Sequence, residues 1–388
     1  MPHRKTYVAF AFAFFLSMYF RTFFAVVGPE LSRDLALTPV QFGLLSSAFF
    51  ASFAISQVPV GLLFDRFGCR LPAAVLVLLG SVGAALMAGA TSFFPAVLGH
   101  GLLGIGCAPA LMSVYFYFGQ TQTWQKAART ATGIAALGSI GALVSTTPLE
   151  MVVSSFGWRN AVAVSACFLA VAAGLVWMWV PALTRSQDIG RDASDSIKTN
   201  PMFLALLAPI FLSASLGTVF RSAWASPYLL DVVELSSQGA ANIFALISVA
   251  GTVTGFLLPF AMRRWKPGSI VAVFYTCAIT LTAALAIGPA QSPISAAAAL
   301  SMLYAIGNCH TIAMAEAQSH IEARRRGVIL GLLNGLGFVG VALFSPLFGV
   351  IARVFDQEPA FSIMFGVTAC ALVVSLIAYL FRGRAVRS

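Results

Sequence analysis

Gly61-Leu62-Leu63-Phe64-Asp65-Arg66-Phe67-Gly68-Cys69-Arg70 is a short charged stretch set between two long apolar runs. Residues 40–63 before it and 72–91 after it contain no Asp, Glu, Lys or Arg. A helix needs about 20 apolar residues to cross a bilayer, so each run is long enough to span. The decapeptide between them then reads as a tight cytoplasmic turn. Its glycines permit the turn and a close helix approach, while Asp65 can face the positive N-terminal end of a neighbouring helix.

The same punctuation of glycine, proline and charge repeats along the chain. It divides the sequence into twelve apolar segments, near 7–31, 40–63, 72–91, 95–118, 131–153, 158–181, 201–229, 240–262, 268–288, 293–318, 328–352 and 360–381. Of 388 residues, 59% are hydrophobic and only 9% charged. Soluble proteins carry about 25% charged residues, so the expected fold is an all-α polytopic membrane protein of twelve transmembrane helices. The net charge of +10 would suit nucleic acid on a soluble domain, but no segment is left to form one, and no nucleic-acid partner is expected. The six cysteines are scattered, with no metal-ligand or redox spacing, so neither metal nor cofactor is expected. The basic N-terminus resembles a signal peptide, yet Arg21 interrupts its apolar run and no small-residue cleavage site follows. A retained first helix is expected.

The charges orient the bundle. With the N-terminus inside, the cytoplasmic loops and tails hold Arg4, Lys5, Arg66, Arg70, Lys126, Arg129, Arg185, Arg191, Lys198, Arg263, Arg264, Lys266, Arg324, Arg325, Arg326, Arg382, Arg384 and Arg387, which is 18 of the 23 basic residues. Arg33, Arg159 and Arg353 fall outside, and two remain within spans. This bias predicts cytoplasmic termini and an even number of spans in the cytoplasmic (inner) membrane. The polar stretch 182–200 falls between spans six and seven, giving an N-terminal six-helix bundle (1–181), a cytoplasmic linker (182–200) and a C-terminal six-helix bundle (201–388). Span one reads Phe20-Arg21-Thr22-Phe23-Phe24-Ala25 and span seven Phe220-Arg221-Ser222-Ala223-Trp224-Ala225. The shared F-R-[ST]-x-x-A pattern, 200 residues apart in corresponding spans, indicates an internal repeat. Substrate sites of repeated bundles lie near the midplane between the halves.

At the Gly61–Arg70 loop the chain resembles the major facilitator superfamily, whose signature there is G-x-x-x-D-[RK]-x-G-[RK]-[RK]. Cys69 departs from it, and the corresponding loop of the second half, Gly255 to Trp265, has Pro259 where the Asp would fall. Gly157-Trp158-Arg159 at the start of span six is also similar to the family. The resemblance covers essentially the whole chain and implies two pseudo-symmetric bundles that carry a solute by alternating access. It also implies that Gly61, Asp65, Arg66, Gly68 and Arg70 gate the cytoplasmic side, with Asp65 latching span eleven near Gly327. Without it, the loop charges have a simpler role in setting topology.

An arginine at a helix centre costs about 2.5–3.5 kcal/mol even on a lenient insertion scale, so Arg21 and Arg221 call for a cavity or a partner. Arg21 is ~22 Å along its helix at 1.5 Å per residue, past the middle. Two guanidinium forks on corresponding helices suit a carboxylate or phosphate. The segments around them resemble spans one and seven of the superfamily's organophosphate and organic-anion porters, in which this arginine pair binds the anionic group. The structural alternative is snorkelling or carbonyl binding. Tyr19, Gln57, Tyr115, Ser222, Tyr304, Asn308 and Asn334 are candidate cavity-lining groups, although isolated polar residues also serve as interhelical glue.

Proton coupling needs a titratable group, and His100, His310 and Glu316 are the main candidates, with Glu150 near the outer end of span five. Glu316 and His320 are four residues apart near Arg324–Arg326, a spacing that also suits a salt-bridge gate. Gly133, Gly138 and Gly141 in span five and Gly331, Gly335, Gly337 and Gly340 in span eleven have helix-packing spacing. Three functions follow in order of support. The first is a secondary transporter of a small anionic solute, a symport coupled to a proton or a counter-anion. The second is a proton-driven exporter of amphiphilic or drug-like compounds. The third is a sensor built on a transporter fold. No nucleophile-base set or phosphate loop points to an enzyme.

Overall fold

The computed structural model describes residues 2–183, 200–289, 292–318, 320–321 and 326–382. Most of the expected linker, together with Arg324, Arg325, Arg384 and Arg387, lies outside them. The described residues are helical throughout, with short turns and caps between helices. Eleven helices are long and apolar enough to cross a membrane, and a twelfth span is made by a bent pair. In chain order the spans are α1 (Arg4–Thr22 continued by Phe24–Asp34), α2 (Pro39–Phe67), α3 (Arg70–Ala88), α4 (Phe93–Thr121), α5 (Arg129–Phe156) and α6 (Trp158–Trp179). They continue as α7 (Pro201–Val232), α8 (Ser237–Arg264), α9 (Pro267–Ile287), α10 (Pro293–Ala317), α11 (Leu332–Val354) and α12 (Gln357–Phe381).

Several helix starts are written locally. Thr38 caps α2 by accepting from the Gln41 backbone N–H at 3.3 Å, Gln41 Oε1 accepts from the Thr38 N–H at 2.9 Å, and Pro39 opens the helix. Asn200 followed by Pro201 and Ser292 followed by Pro293 repeat the device on α7 and α10. A side-chain cap satisfies an orphan N–H, and proline loses nothing at the first helical position.

The chain forms two compact units, Met1–Ile189 and Gly190–Ser388. In the first, α1 packs on α5 and α6, α3 on α4 and α6, and α2 on α4. In the second, α7 packs on α11 and α12, α9 on α10 and α12, and α8 on α10. With a shift of six helices the pairings are the same, which is the internal repeat expressed as packing.

Glycines allow the closest of these approaches. A Cβ on Gly138 would meet the Phe14 ring and one on Gly141 the Phe15 backbone, which seats α5 on α1. One on Gly340 would meet Ser215, which seats α11 on α7. Gly335 has open space around it, and Gly337 is 3.6 Å from the Phe211 carbonyl by the same measure. Gly327 and Gly331 fall outside the fully described residues.

Gly68 and Gly157 have positive φ, +70° and +80°, where only glycine is unstrained. A Cβ on Gly68 would also sit 2.5 Å from the Leu183 carbonyl oxygen. Gly157 turns the chain into α6, where Trp158 Nε1 donates to Asp34 at 3.2 Å and Arg159 pairs with the same carboxylate at 2.8 Å. Arg159 also donates to the Ala88 and Ala90 carbonyls at 3.0 and 2.7 Å. The Gly-Trp-Arg motif thus ties the starts and ends of α6, α1 and α3 together.

Candidate functional site

Both arginines sit where their helix loses its regular pitch. The two segments of α1 meet at 50°, Arg21 one residue before the end of the first. Arg221 lies inside a π-helical turn, Phe220–Trp224, and a second such turn, Tyr228–Val232, ends α7. π turns often mark functional positions in helices. The fourth and tenth spans are interrupted as well, α4 at Ala108 before Pro109 and α10 by a 3₁₀ turn at Ile306–Asn308. The interruptions of spans one and four thus recur in spans seven and ten, whereas α5 is also broken at Ser145–Thr146 and its counterpart α11 is continuous.

The breaks of α1 and α7 are each tethered by a serine of the span packed on them. Thr22 Oγ1 and Ser145 Oγ are 2.6 Å apart in the first unit. In the second, Trp224 Nε1 donates to Ser345 Oγ at 3.0 Å and to the Ser345 carbonyl at 3.2 Å. Ser145 and Ser345 are separated by the same 200 residues as the arginines.

The side chains then diverge. Arg21 is half-buried and places its guanidinium 4.6 Å from the centre of the Phe53 ring on α2. Gln57, one turn along α2, donates to the Phe53 carbonyl at 3.4 Å. Arg21, Phe53 and Gln57 therefore share one face between α1 and α2. Tyr19 turns toward α6 instead, with its hydroxyl 3.0 Å from Ser165 Oγ. Tyr115 is exposed on α4.

Arg221 is only 1% exposed. Its Nε and Nη2 donate to Ser248 Oγ at 3.3 and 3.1 Å, and its guanidinium lies 5.1 Å from the Phe244 ring. Tyr304 is within electrostatic reach of it. Tyr304 lies flat against Gly251, where a Cβ would come within 2.6 Å of its ring, and Asn308 Nδ2 donates to the Gly251 carbonyl at 2.9 Å. Arg221, Tyr304 and Asn308 are thereby gathered along one stripe of α8. Ser222 Oγ is buried with no hydrogen-bond partner among the described residues, and Asn334 is half-buried on α11.

Around the α2–α3 turn, Asp65 and Arg66 are exposed and Gly61 faces Met112 of α4. Arg66 lies 5.1 Å from the Phe67 ring. Arg70 Nε donates to the Trp177 carbonyl at 2.9 Å and its guanidinium stacks 4.6 Å from that ring, joining α3 to α6. Cys69, in place of the family's basic residue, is 1% exposed, and burial pushes its thiol up to about 12.

The titratable candidates are dispersed. His100 is 1% exposed, with Nδ1 2.7 Å from the Leu45 carbonyl and its ring enclosed by Phe23, Phe24 and Phe49. His310 Nδ1 meets the Gly307 carbonyl in the 3₁₀ turn of α10. Glu316 is gripped by Arg382, whose Nε and Nη2 donate to its two oxygens at 2.6 and 2.8 Å, and by the Tyr379 hydroxyl at 2.8 Å. The partner the structure gives it is thus on α12. His320 stacks on Phe203 with ring centres 3.8 Å apart, and its Nδ1 meets the Glu316 carbonyl. Glu150 lies in the first turn after the α5 break. Phe53, Phe244, Ser248, Ser145 and Ser345 were not legible as site residues. Only the 200-residue offset of the two serines carried a signal.

A chain of eleven to twelve apolar spans in two like-packed units, with arginines at paired helix breaks, defines a polytopic transporter of small molecules. The chain belongs to the Major Facilitator Superfamily, whose family model matches residues 10–345. Among similar proteins is the multidrug resistance protein MdtL of Shigella dysenteriae serotype 1, 22% identical over 363 residues, 91% of this chain and 89% of that protein. Among solved structures, a D-xylose-proton symporter has a TM-score of 0.78 at 15% identity, covering 98% of this chain and 97% of its own. The nucleoside transporter NupG has a TM-score of 0.75 at 15% identity, covering 97% and 98%.

Proposed function

We propose that the protein is a secondary active transporter that moves a small anionic solute, an organic carboxylate or a phosphate-type anion, by alternating access. Arg21 and Arg221 are its anion-binding groups, supported in the first half by Gln57 and in the second by Ser222, Tyr304, Asn308 and Asn334; Tyr19, bonded to Ser165 on α6, is left out of this set. The observation that carries this reading is the coincidence, in both halves, of an intramembrane arginine with a helix break. A break frees backbone groups and lets a helix bend during the cycle, and a guanidinium placed there offers a planar fork for an oxyanion. Sequence composition points the same way, since Glu150 and Glu316 are the sole carboxylates in α2–α6 and α8–α11 away from the turns. In this reading both termini face the cytoplasm, the α2–α3 turn gates that side through Asp65, and a proton or a counter-anion supplies the driving force.

The test is uptake by proteoliposomes of a panel of carboxylates, phosphate esters, sulfonates and nitrate, in the wild type and in Arg21→Lys and Arg221→Lys. Lysine keeps the charge and loses the fork, so uptake of the transported anion falls by at least tenfold in each variant. Undiminished uptake in both refutes the assignment.

A second reading is export of amphiphilic compounds, favoured by the relatives named as multidrug resistance proteins. It requires a membrane carboxylate. Loss of dye efflux on neutralising Glu150 and Glu316, with no anion uptake in the wild type, would establish it.

A further inference from the structure

The environment of Arg221 shows more than burial. Ser248 Oγ donates to the Phe244 carbonyl one turn earlier on α8, at 2.9 Å. This fixes the direction of the hydroxyl proton and turns the oxygen lone pairs toward the guanidinium. Nε and Nη2, which form one complete edge of the fork, both donate to that single oxygen. Phe244 supplies the ring beneath the guanidinium, so the two α8 residues form a seat with an oxygen on one side and a π face on another. An oxyanion approaching the same edge would present an acceptor in the place where Ser248 Oγ stands.

We infer that Ser248 is a positioning residue for Arg221: it occupies the Nε/Nη2 edge of the guanidinium with a neutral oxygen and keeps the fork oriented until a substrate oxyanion replaces it. The inference rests on the reading of Arg221 as an anion-binding group for its purpose, but the hold itself is a property of the protein without substrate. A charge-assisted hydrogen bond is worth more than a neutral one. Its loss removes the one acceptor that Nε and Nη2 share and loosens the guanidinium on that edge. Tyr304 and Asn308 are seated on Gly251, one turn farther along α8.

The test uses full-length protein in detergent micelles and reads modification of individual arginines by phenylglyoxal with peptide mass spectrometry. It compares the wild type with Ser248→Ala, Ser248→Thr and Ser248→Cys. Removing the hydroxyl raises the rate at Arg221 about tenfold in Ser248→Ala. Ser248→Thr, which keeps the oxygen, stays at the wild-type rate. The rates at Arg21 and Arg159 are unchanged throughout, which separates release of one side chain from general loosening. If Ser248→Ala does not elute as the native protein, the near-isosteric Ser248→Cys, a poor acceptor, takes its place with the same expectation. Equal Arg221 rates in all variants, or a Ser248→Thr rate matching Ser248→Ala, overturn the inference. No anion is present in this measurement, so its outcome is independent of whether Arg221→Lys abolishes anion uptake.

Discussion

The Glu316–Arg382–Tyr379 cluster provides the sharpest quantitative test of how the second unit holds together. Arg382 grips both carboxylate oxygens, at 2.6 and 2.8 Å, and Tyr379 adds a third donor at 2.8 Å. The side chains of Arg382 and Glu316 are 16% and 20% exposed. Removing one partner of a buried pair costs about 3–5 kcal/mol, whereas an exposed pair is worth about 0.2–1 kcal/mol. The low exposure and bidentate geometry place this pair about midway between those limits. Glu316→Gln, which keeps an acceptor for Tyr379, is therefore expected to cost about 2 kcal/mol, roughly a 30-fold shift toward the unfolded form. The measurement is equilibrium unfolding in mixed detergent micelles, followed by tryptophan fluorescence, on Glu316→Gln, Arg382→Met and the double variant. A coupling energy of about 1.5–2 kcal/mol is expected across the cycle. Additivity to within about 0.5 kcal/mol refutes the clasp. The same variants bear on transport. A clasp leaves the turnover of the folded fraction intact. Gradient-driven uptake lost at undiminished stability would instead make Glu316 the coupling group.

Two other consequences are direct. Gly141→Ala places a Cβ against the Phe15 backbone and is expected to destabilise by about 1–3 kcal/mol, whereas Gly101→Ala, in a helix with open space around it, leaves the unfolding midpoint unchanged or raises it. Equal midpoints for the two would show that α1 and α5 are not packed at that crossing. The Cys69 thiol, raised by burial from an ordinary value of 9.0 to about 12, stays protonated in the folded protein at mildly alkaline pH. Its contribution to stability is full below about 9 and is lost as pH rises toward about 12. Labelling of Cys69 by a water-soluble maleimide therefore stays slow from pH 7 to 9 and becomes fast only on unfolding. A folded-protein rate equal to that of the unfolded chain at the same pH would refute it.

The extent to which sequence foretold structure follows from which forces are local. Span positions depend on runs of apolar residues and on capping pairs such as Thr38-Pro39, both readable along the chain, and the expected segments agree with the helices to within a few residues. Gly68 was readable for the same reason, because a tight turn favours glycine whatever surrounds it, whereas Gly157 was legible only through the family-like Gly-Trp-Arg motif. Partner choice is not local. Glu316 stands near a basic cluster in sequence whose arginines lie outside the fully described residues, and the partner 66 residues away just past α12, Arg382, is brought to it by helix packing. Likewise Ser248 in a span reads as one small polar residue among many until Arg221 is seen to lie on it.

The internal repeat shows where symmetry stops being informative. The match of Phe20-Arg21-Thr22 with Phe220-Arg221-Ser222 preserves the helix break, the arginine and even the tethering serines at 145 and 345. It does not preserve what the arginine touches. Arg21 rests half-buried over Phe53 beside Gln57, while Arg221 is enclosed on Phe244 and Ser248. The helix pairings are common to the two units, and the closest of them depend on small residues such as Gly141 and Gly340. Side-chain seats depend on single residues of α2 and α8, which have diverged. Two arginines at equivalent places in the repeat thus rest in different seats, one over an aromatic ring of α2 and the other against a serine hydroxyl of α8.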